Sequence, residues 1–212
     1  METRSLVEEV MDDPEVSEDT LADVYRTLRT LHRLFGNHRA VLRALRRNPR
    51  PVRRVLDLGC GDGSLLDVIR RKLSVEVLGV DSRPPRSRAD VPVICADAVR
   101  ERLPDADVAV AVCLIHHLSD ADLIALIHNV GRSCRRFVIV DLVRHRLPRD
   151  LFRLGVVPWV NPVSAIDGVR SIERSFTPGE LRDLVRSAVG AHAWVRHSVA
   201  PFYVRQVVDI VY

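Results

Sequence analysis

The sequence predicts an α/β protein with a doubly wound, mostly parallel sheet. Short continuous apolar runs alternate with stretches of helical periodicity, which is typical of strands covered by helices on both faces. A glycine-rich turn follows the first run, as at a ligand-binding edge of such a sheet. The last two extended stretches are joined by too short a connection for a parallel crossover, so we expect them to form a C-terminal antiparallel hairpin.

Size and composition favour one domain with a small appendage. The chain has 212 residues, of which 47% are hydrophobic and 28% charged, so it can form a full core and is not globally disordered. Its longest apolar run, Val108–Ile115, is far shorter than the ~20 residues of a membrane helix. The acidic N-terminus lacks the apolar segment of a signal peptide. We therefore expect a cytoplasmic protein without a membrane partner.

The cysteines support a cytoplasmic location, and the charge bears on a possible nucleic-acid partner. Cys60, Cys95, Cys113 and Cys134 are widely spaced, without a CxxC pair, which suggests structural thiols in a reducing compartment. The formal net charge is +4, but the basic residues are almost all arginines scattered among 28 acidic residues. The one basic run, 43–54, is explained equally well by a solvated helix end and a linker. Charge alone therefore does not predict a nucleic-acid partner.

Residues 1–50 are predicted to form an N-terminal helical cap. Apolar residues recur at spacings of three and four over Thr20–Arg47, with a break at Gly36–Asn37. A proline-rich linker then leads into the main domain, 51–212, whose predicted strands are Val52–Leu58, Val75–Val80, Val91–Cys95, Val108–Cys113, Phe137–Val140, Ala193–Val199 and Val204–Val211. Helices are predicted over Ser64–Leu73 and Asp120–Val130, and from a capping box at Thr177–Glu180 to about Ala188.

The glycine turn carries the first candidate site residues. Asp57, Gly59, Gly61 and Gly63 lie between a strand and a helix, where glycine permits a tight turn and close approach of a ligand. A dinucleotide fingerprint would need glycine or alanine in place of Ser64. A carboxylate at Asp57 suits a ligand with a cationic group better than a pyrophosphate. An ordinary glycine-rich turn is the alternative.

Two further carboxylates follow the second and third predicted strands. Asp81 could accept hydrogen bonds from ribose hydroxyls, and Asp97 with Ala98 could contact an adenine amino group. Each could instead cap the turn that follows its strand. Their repetition along one edge of a parallel sheet nevertheless favours a ligand that contains adenosine.

Together these stretches resemble the cofactor site of class I S-adenosylmethionine-dependent methyltransferases. The resemblance covers residues 50–145 well and the rest loosely, through VLDLGCGDG (55–63), LGVD (78–81), CADA (95–98), AVCLIHHL (111–118) and FVIVDL (137–142). It implies a Rossmann-like sheet of seven strands whose last hairpin is antiparallel. It also implies S-adenosylmethionine as cofactor and S-adenosylhomocysteine as product.

The same resemblance assigns roles to individual positions. It places Asp57 at the methionine amino group, the backbone of 59–63 around the methionine and ribose, Asp81 at the ribose hydroxyls, and Asp97 with Ala98 at the adenine. Cys60, Ser82 and Cys113 are further cofactor-binding positions on this basis.

His116 and His117 follow the fourth predicted strand, where the methyl group and its acceptor should meet. The His-His-Leu sequence resembles the small-molecule branch of the family. One of them could act as a general base or orient the acceptor, because imidazole titrates near neutral pH. The alternative is that a histidine packs or caps the helix that follows.

Segment 146–176 is long for a strand-to-helix connection and is predicted to be a substrate-covering insertion. It contributes Trp159, Arg170 and Arg174 as candidate substrate contacts, and Asn37 and His38 do so from the break between the N-terminal helices. Residues 167–178 resemble a segment of bacterial methyltransferases that accompany polyketide synthases. A packed surface subdomain is the alternative.

The expected acceptor is a small, partly apolar metabolite, methylated preferably on oxygen, such as a polyketide-like or quinone-like phenol. Residues 113–116 lack the Asn/Asp-Pro-Pro-aromatic motif of many nucleic-acid methyltransferases, so no nucleic-acid partner is expected. The histidine and cysteine spacing matches no zinc pattern, so no metal is predicted. The chain is expected to act as a monomer or homodimer.

Three other functions stay open. A nucleic-acid or protein methyltransferase could use the same fold, as could a non-catalytic module that only binds the cofactor. A nicotinamide-dependent oxidoreductase would need a Tyr-x-x-x-Lys pair, and the single lysine, Lys72, has no tyrosine four residues before it.

Overall fold

A computed structural model describes residues 3–48, 50–85, 89–190 and 193–212. Within these ranges seven strands form one sheet with helices on both faces. The strands are β1 (Arg54–Leu58), β2 (Glu76–Asp81), β3 (Val93–Cys95), β4 (Ala106–Val112), β5 (Cys134–Asp141), β6 (Trp194–Val199) and β7 (Gln206–Val211). The helices are α1 (Glu18–Leu34), α2 (Asn37–Arg46), α3 (Ser64–Leu73), α4 (Asp120–Ser133), α5 (Arg146–Gly155), α6 (Pro162–Arg174) and α7 (Pro178–Val189). None of these helices is long and apolar enough to cross a membrane.

The strand order is β3-β2-β1-β4-β5-β7-β6, and β1 to β5 are all parallel. β7 pairs antiparallel with both β5 and β6. The predicted doubly wound sheet and its C-terminal hairpin are confirmed, with β7 as the strand that runs against the others. This topology places the carboxyl ends of β1, β2, β4 and β5 along one edge, where ligands bind in such sheets.

Side chains of the central strands alternate between two cores. In β4, Ala109 and Ala111 face the core under α4 and α7, whereas Val108 and Val110 face the core under α2 and α3. Val41 in α2 is fully buried in that second core. The predicted division of the chain at residue 50 stays a prediction, and α2, on its N-terminal side, packs directly on the strands.

Several local predictions are confirmed. α1 ends at Leu34 and α2 begins at Asn37, with Gly36 between them in the left-handed conformation at φ 75°. α7 begins with the predicted capping box, in which Thr177 and Glu180 each accept a hydrogen bond from the other's backbone amide.

The predicted insertion, 146–176, consists mainly of two helices that pack on each other. Asn161 caps α6 by accepting a hydrogen bond from the Ser164 amide, and His145 caps α5 through the Leu147 amide. Gly168 in α6 lies against the ring of Phe152 in α5. The pair forms a roof beside the carboxyl edge of the sheet.

Residues 4–13, which we call the N-terminal strap, lie along α6. The Ser5 amide donates to the Glu173 carbonyl, and the carboxylate of Asp167 accepts hydrogen bonds from the amides of Val10 and Met11 at 2.7 and 3.0 Å. Burial raises the pKa of Asp167, although both amides favour its charged form. The strap thus joins the first residues of the chain to the roof.

Candidate active site

A cavity of about 780 Å³ lies at the carboxyl edge of the parallel strands. One part of its wall comes from the glycine turn and the ends of β2 and β4. The other part comes from α1, α5, α6 and the strap. The polar residues predicted from the sequence and the covering segments therefore meet at one cavity.

The glycine turn adopts the predicted conformation. Gly59, Gly61 and Gly63 all have positive φ, of 66°, 50° and 71°. A Cβ on Gly61 would lie 2.7 Å from Cε1 of Tyr25 in α1, which no unstrained side chain tolerates. Glycine at this position thus allows α1 to close over the turn.

Asp57 is a buried carboxyl group at this edge, only 3% exposed. In the part of the chain that the structure describes, no hydrogen bond to its side chain is present. Burial, followed by the charges of Asp81 and Asp62, raises its pKa well above the ordinary value. Because Asp57 lines the cavity, a cationic group bound there would relieve this unfavourable environment.

The carboxylate of Asp81 is held by two backbone amides. Its Oδ2 accepts from Gly61 at 2.8 Å, and its Oδ1 accepts from Arg83 at 2.8 Å. Each oxygen keeps a second lone pair that can accept another hydrogen bond. Asp81 and its neighbour Ser82 both line the cavity, as predicted.

Asp97 and Ala98 also line the cavity. Asp97 at the same time accepts from the Val99 amide and from the Arg100 guanidinium, each at 2.8 Å. Asp97 thus caps its turn and also borders the cavity, and its predicted contact with adenine stays a prediction.

Cys113 directly follows β4 and has a strained backbone, at φ 52°. Its Sγ lies 3.7 Å from Nδ2 of Asn37, and its amide donates to the Val140 carbonyl. Burial raises the pKa of this thiol well above its ordinary value, so the sulfur is a neutral part of the wall. Cys60 lies in the cavity wall as well.

His116 lies in a buried 3-10 turn after β4. Its Nδ1 is 2.7 Å from Oδ1 of Asp141, and its Nε2 is 3.4 Å from Oε1 of Glu9. Burial alone would lower the pKa of His116, but the two carboxylates outweigh burial and raise it to about 10. The two carboxylates thus favour the charged imidazolium, which has no free lone pair. This environment does not favour a general base, and the predicted catalytic role of His116 stays a prediction.

His117 is less buried, with 25% of its side chain exposed. Its Nδ1 lies 3.1 Å from Oδ2 of Asp12, and its Nε2 lies 3.8 Å from Oε1 of Glu9. Its ring is tilted against that of His116, with 4.3 Å between the ring centroids. Both histidines line the cavity, and a role for His117 in contact with substrate stays a prediction.

Sequence analysis missed Glu9 entirely. Glu9 is 5% exposed, and its Oε1 accepts a hydrogen bond from Oγ of Ser171 at 2.6 Å. Although burial opposes it, hydrogen bonding to His116 and the charge of that ring lower the pKa of Glu9 to about 2. No local pattern connects Glu9 with a turn more than a hundred residues later. Asp141 could have been found from the sequence, because it lies at the end of a predicted strand, as the other candidate carboxylates do.

The wall formed by α1, α5, α6 and the segment between β5 and α5 is mainly apolar. It contains Leu28, Leu31, Phe35, Leu142, Val143, Pro148, Leu151, Phe152, Val156 and Ile172.

A polar group interrupts this apolar wall. Nδ1 of His32 lies 2.9 Å from Nδ2 of Asn37, and the His32 ring stacks on His38 at 5.8 Å. Burial, together with the charge of His38, lowers the pKa of His32 to about 4, so the ring is neutral near pH 7. Asn37 and His38 thus line the cavity as predicted, and His32 joins them unpredicted.

Two predicted substrate contacts, Trp159 and Arg170, are corrected. Trp159 is 84% exposed and lies outside the cavity wall. Arg170 also lies outside the wall, and its Nη1 donates to the Glu8 carbonyl at 2.8 Å. Arg174 reaches the wall, but its guanidinium donates to backbone carbonyls of the strap and of the histidine turn at 3.4 Å. Both arginines hold the strap, and contact of Arg174 with a substrate stays a prediction.

The comparisons with known proteins place the chain in a family. Residues 21–187 match the family described as methyltransferase domain. A search of curated proteins finds no match.

Solved structures share the fold at low sequence identity. The plantazolicin methyltransferase BpumL, solved with a triazolic desmethylPZN analog and SAH, superimposes with a TM-score of 0.70 at 16% identity, over 94% of this chain and 92% of that one. Human N-acetylserotonin methyltransferase, solved with SAM, superimposes with a TM-score of 0.65 at 16% identity, over 92% of this chain and 56% of that one. The methyltransferase domain of bacterial CtHen1 superimposes with a TM-score of 0.56 at 17% identity, over 85% of this chain and 98% of that one.

Proposed function

This chain belongs to the methyltransferase-domain family, and from that premise we propose that it methylates a small, partly apolar metabolite on oxygen, with S-adenosylmethionine as donor. The observation that carries the proposal is the single cavity that joins the carboxylates of the sheet edge to the apolar wall under the roof. Such a cavity can hold a charged nucleoside cofactor and an apolar acceptor side by side.

The residues at the sheet edge suit this cofactor. The buried, unpartnered carboxyl of Asp57 would bind the methionine ammonium group, which supplies the missing cation. Asp81 would accept the ribose hydroxyls, because its carboxylate is already oriented by two amides. Asp97 and Ala98 would border the adenine. Cys113, directly after β4, lines the cavity and contacts Asn37 of α2.

When bound, the cofactor supplies an electrophilic methyl group that an acceptor displaces in line. The protein then has to position the two molecules, and correct orientation alone can contribute roughly 7–11 kcal/mol. A phenol needs little help in losing its proton. A phenolic acceptor therefore does not require His116 to act as a base.

The apolar wall favours a carbon-rich acceptor, and His32 supplies a polar contact within it. Because this imidazole is neutral, it can form a hydrogen bond with an acceptor hydroxyl without introducing a charge into an apolar pocket. Asn37 would orient the ring through Nδ1.

The cationic groups of the wall argue against a phosphate-rich acceptor such as nucleic acid. Arg29 forms an ion pair with Asp62 at 3.0 Å, and Arg100 forms one with Asp97 at 2.8 Å. Arg83 and Arg174 donate to backbone carbonyls. The arginines that the described chain contributes to the wall thus already have partners.

Two measurements test this proposal. Calorimetry should detect binding of S-adenosylmethionine and none of NAD. Formation of S-adenosylhomocysteine should then be assayed with phenols, quinols, carboxylic acids, short peptides and RNA and DNA oligonucleotides. We expect turnover with a phenol or quinol. Turnover restricted to peptides or oligonucleotides would overturn the acceptor class, and absence of cofactor binding would overturn the function as a whole.

A further inference from the structure

Three potential metal ligands converge at the cavity beside the end of β4. Oε1 of Glu9 lies 3.4 Å from Nε2 of His116 and 3.8 Å from Nε2 of His117. One ligand atom from each of the three residues lies within 4.8 Å of the others. Ligands of a tetrahedral ion with bonds of about 2.1 Å are separated by about 3.4 Å, and both distances to Glu9 are close to that value.

The second nitrogen of each histidine is anchored by a carboxylate. Nδ1 of His116 is 2.7 Å from Asp141, and Nδ1 of His117 is 3.1 Å from Asp12. This arrangement leaves both Nε2 atoms on the side of Glu9. Carboxylates in this position orient metal-binding imidazoles and increase their basicity.

Hydrogen bonds to α6 also fix the position of Glu9. Its ligand oxygen accepts from Oγ of Ser171, and the next two residues of the strap are fixed by Asp167. Arg174 donates to the carbonyls of both His116 and His117, which secures the turn. The three ligands therefore lie on segments that are bound to one helix, α6.

We propose that Glu9, His116 and His117 form a site for a divalent transition-metal ion with the ligand preference of Zn²⁺. Two imidazoles and one carboxylate are the donor set of catalytic zinc sites, which keep a further position open. All three residues line the cavity, so that open position would face the acceptor. Coordination would use the unprotonated Nε2 of His116, which lies 3.4 Å from Oε1 of Glu9. A proton carried by that nitrogen would pass to solvent as the ion binds.

A role of this metal site in catalysis rests on the proposed function, because the methyl acceptor would be the molecule that binds the ion. An acceptor with a hydroxyl or phenolate oxygen would complete the coordination, and the ion would favour the deprotonated oxygen. A chelating acceptor with two adjacent oxygens would bind most strongly. Metal binding itself does not depend on methyl transfer and can be measured alone.

The test uses the full chain after removal of bound metal with a chelator. Titration with Zn²⁺ should give one equivalent of tight binding, and Co²⁺ should give the visible absorption of a four- or five-coordinate ion. His117→Ala removes a partly exposed ligand and should weaken binding about 100-fold, as should Glu9→Gln. Asp12→Asn loosens only the anchor of His117 and should weaken binding by about 10-fold.

His145→Ala is the matched control, because His145 stacks on Tyr203 and is not part of the cavity wall. It should bind Zn²⁺ like the wild type. Binding by His117→Ala and Glu9→Gln with unchanged affinity would overturn the proposal, as would absence of binding to the wild type. Calorimetry with S-adenosylmethionine on the same samples separates the two hypotheses. A chain that binds Zn²⁺ but not the cofactor would disprove the proposed function and retain the metal site.

Discussion

Asp141 at the end of β5 holds His116 of the neighbouring turn through a hydrogen bond of 2.7 Å between Oδ1 and Nδ1. Its second oxygen accepts from the Ile115 amide at 2.9 Å. One carboxylate thus positions both the backbone and the side chain of this turn. Because all of these groups are buried, their pairing is energetically important.

Replacing Asp141 should therefore cost stability. Asp141→Ala leaves a buried imidazolium and a buried amide without their partner, and we expect the free energy of unfolding to fall by about 3–5 kcal/mol. Asp141→Asn keeps the shape and one acceptor, so its loss should be smaller. Urea denaturation measures both variants. A loss below 1 kcal/mol in the alanine variant would show that Asp141 is not the anchor of the turn.

Asp81→Ala should reduce the affinity for S-adenosylmethionine by about 100-fold, since it removes two hydrogen-bond acceptors and frees the Gly61 amide. Asp107 is the matched control, because it accepts from the amides of Arg53 and Arg54 at the opposite end of the sheet. Calorimetry should find wild-type affinity in Asp107→Ala. Equal affinities of the two variants would refute the ribose assignment.

Cofactor binding should release protons from Asp57. Burial raises the pKa of this carboxyl, so in the free protein it remains protonated to higher pH than an exposed aspartate. A bound ammonium group favours the carboxylate and lowers that pKa again, so the proton leaves on binding. The binding enthalpy should therefore depend on the ionisation enthalpy of the buffer. Asp57→Asn should bind more weakly and lose this dependence. Buffer-independent wild-type enthalpies between pH 4 and 7 would contradict the idea.

His32→Phe should raise the KM for the acceptor by about 10-fold, through loss of one hydrogen bond, and leave the cofactor affinity unchanged. The pKa of His32 is lowered to about 4, so its neutral form is lost only as the pH falls through that value. We thus expect no step in KM near pH 6.5 that depends on His32. His145→Phe serves as the control. A KM step near pH 6.5 that vanishes in His32→Phe would mean that the ring is charged at neutral pH.

Gly168→Ala should destabilise the roof of the cavity. A Cβ at this position collides with the ring of Phe152, and overpacking of this kind costs about 1–3 kcal/mol. Gly155→Ala is the matched control, since a Cβ there meets no atom of the described residues within 4 Å. Thermal unfolding of both variants provides the comparison. An unchanged midpoint in Gly168→Ala would indicate that α5 and α6 separate easily.

Most of the sheet, and the part of the cavity wall at its carboxyl edge, were predictable because their signals are local. A strand that enters a glycine turn, followed by Asp81 at the end of the next strand, can be recognised without any knowledge of distant contacts. The part of the wall formed by the strap, α5 and α6 carries no such local signal. Glu9 meets His116 only through the folded strap, and an arginine such as Arg174 looks the same in sequence whether it binds a ligand or a backbone carbonyl.

The attachment of the strap to α6 has a consequence for synthesis of the chain. Glu9 and the residues around it pair with Asp167, Ser171 and Arg174, more than 150 positions later. During translation the first dozen residues thus emerge long before their partners exist. Their docking has to wait until the ribosome has released α6, so closure of the pocket belongs to the last stages of maturation.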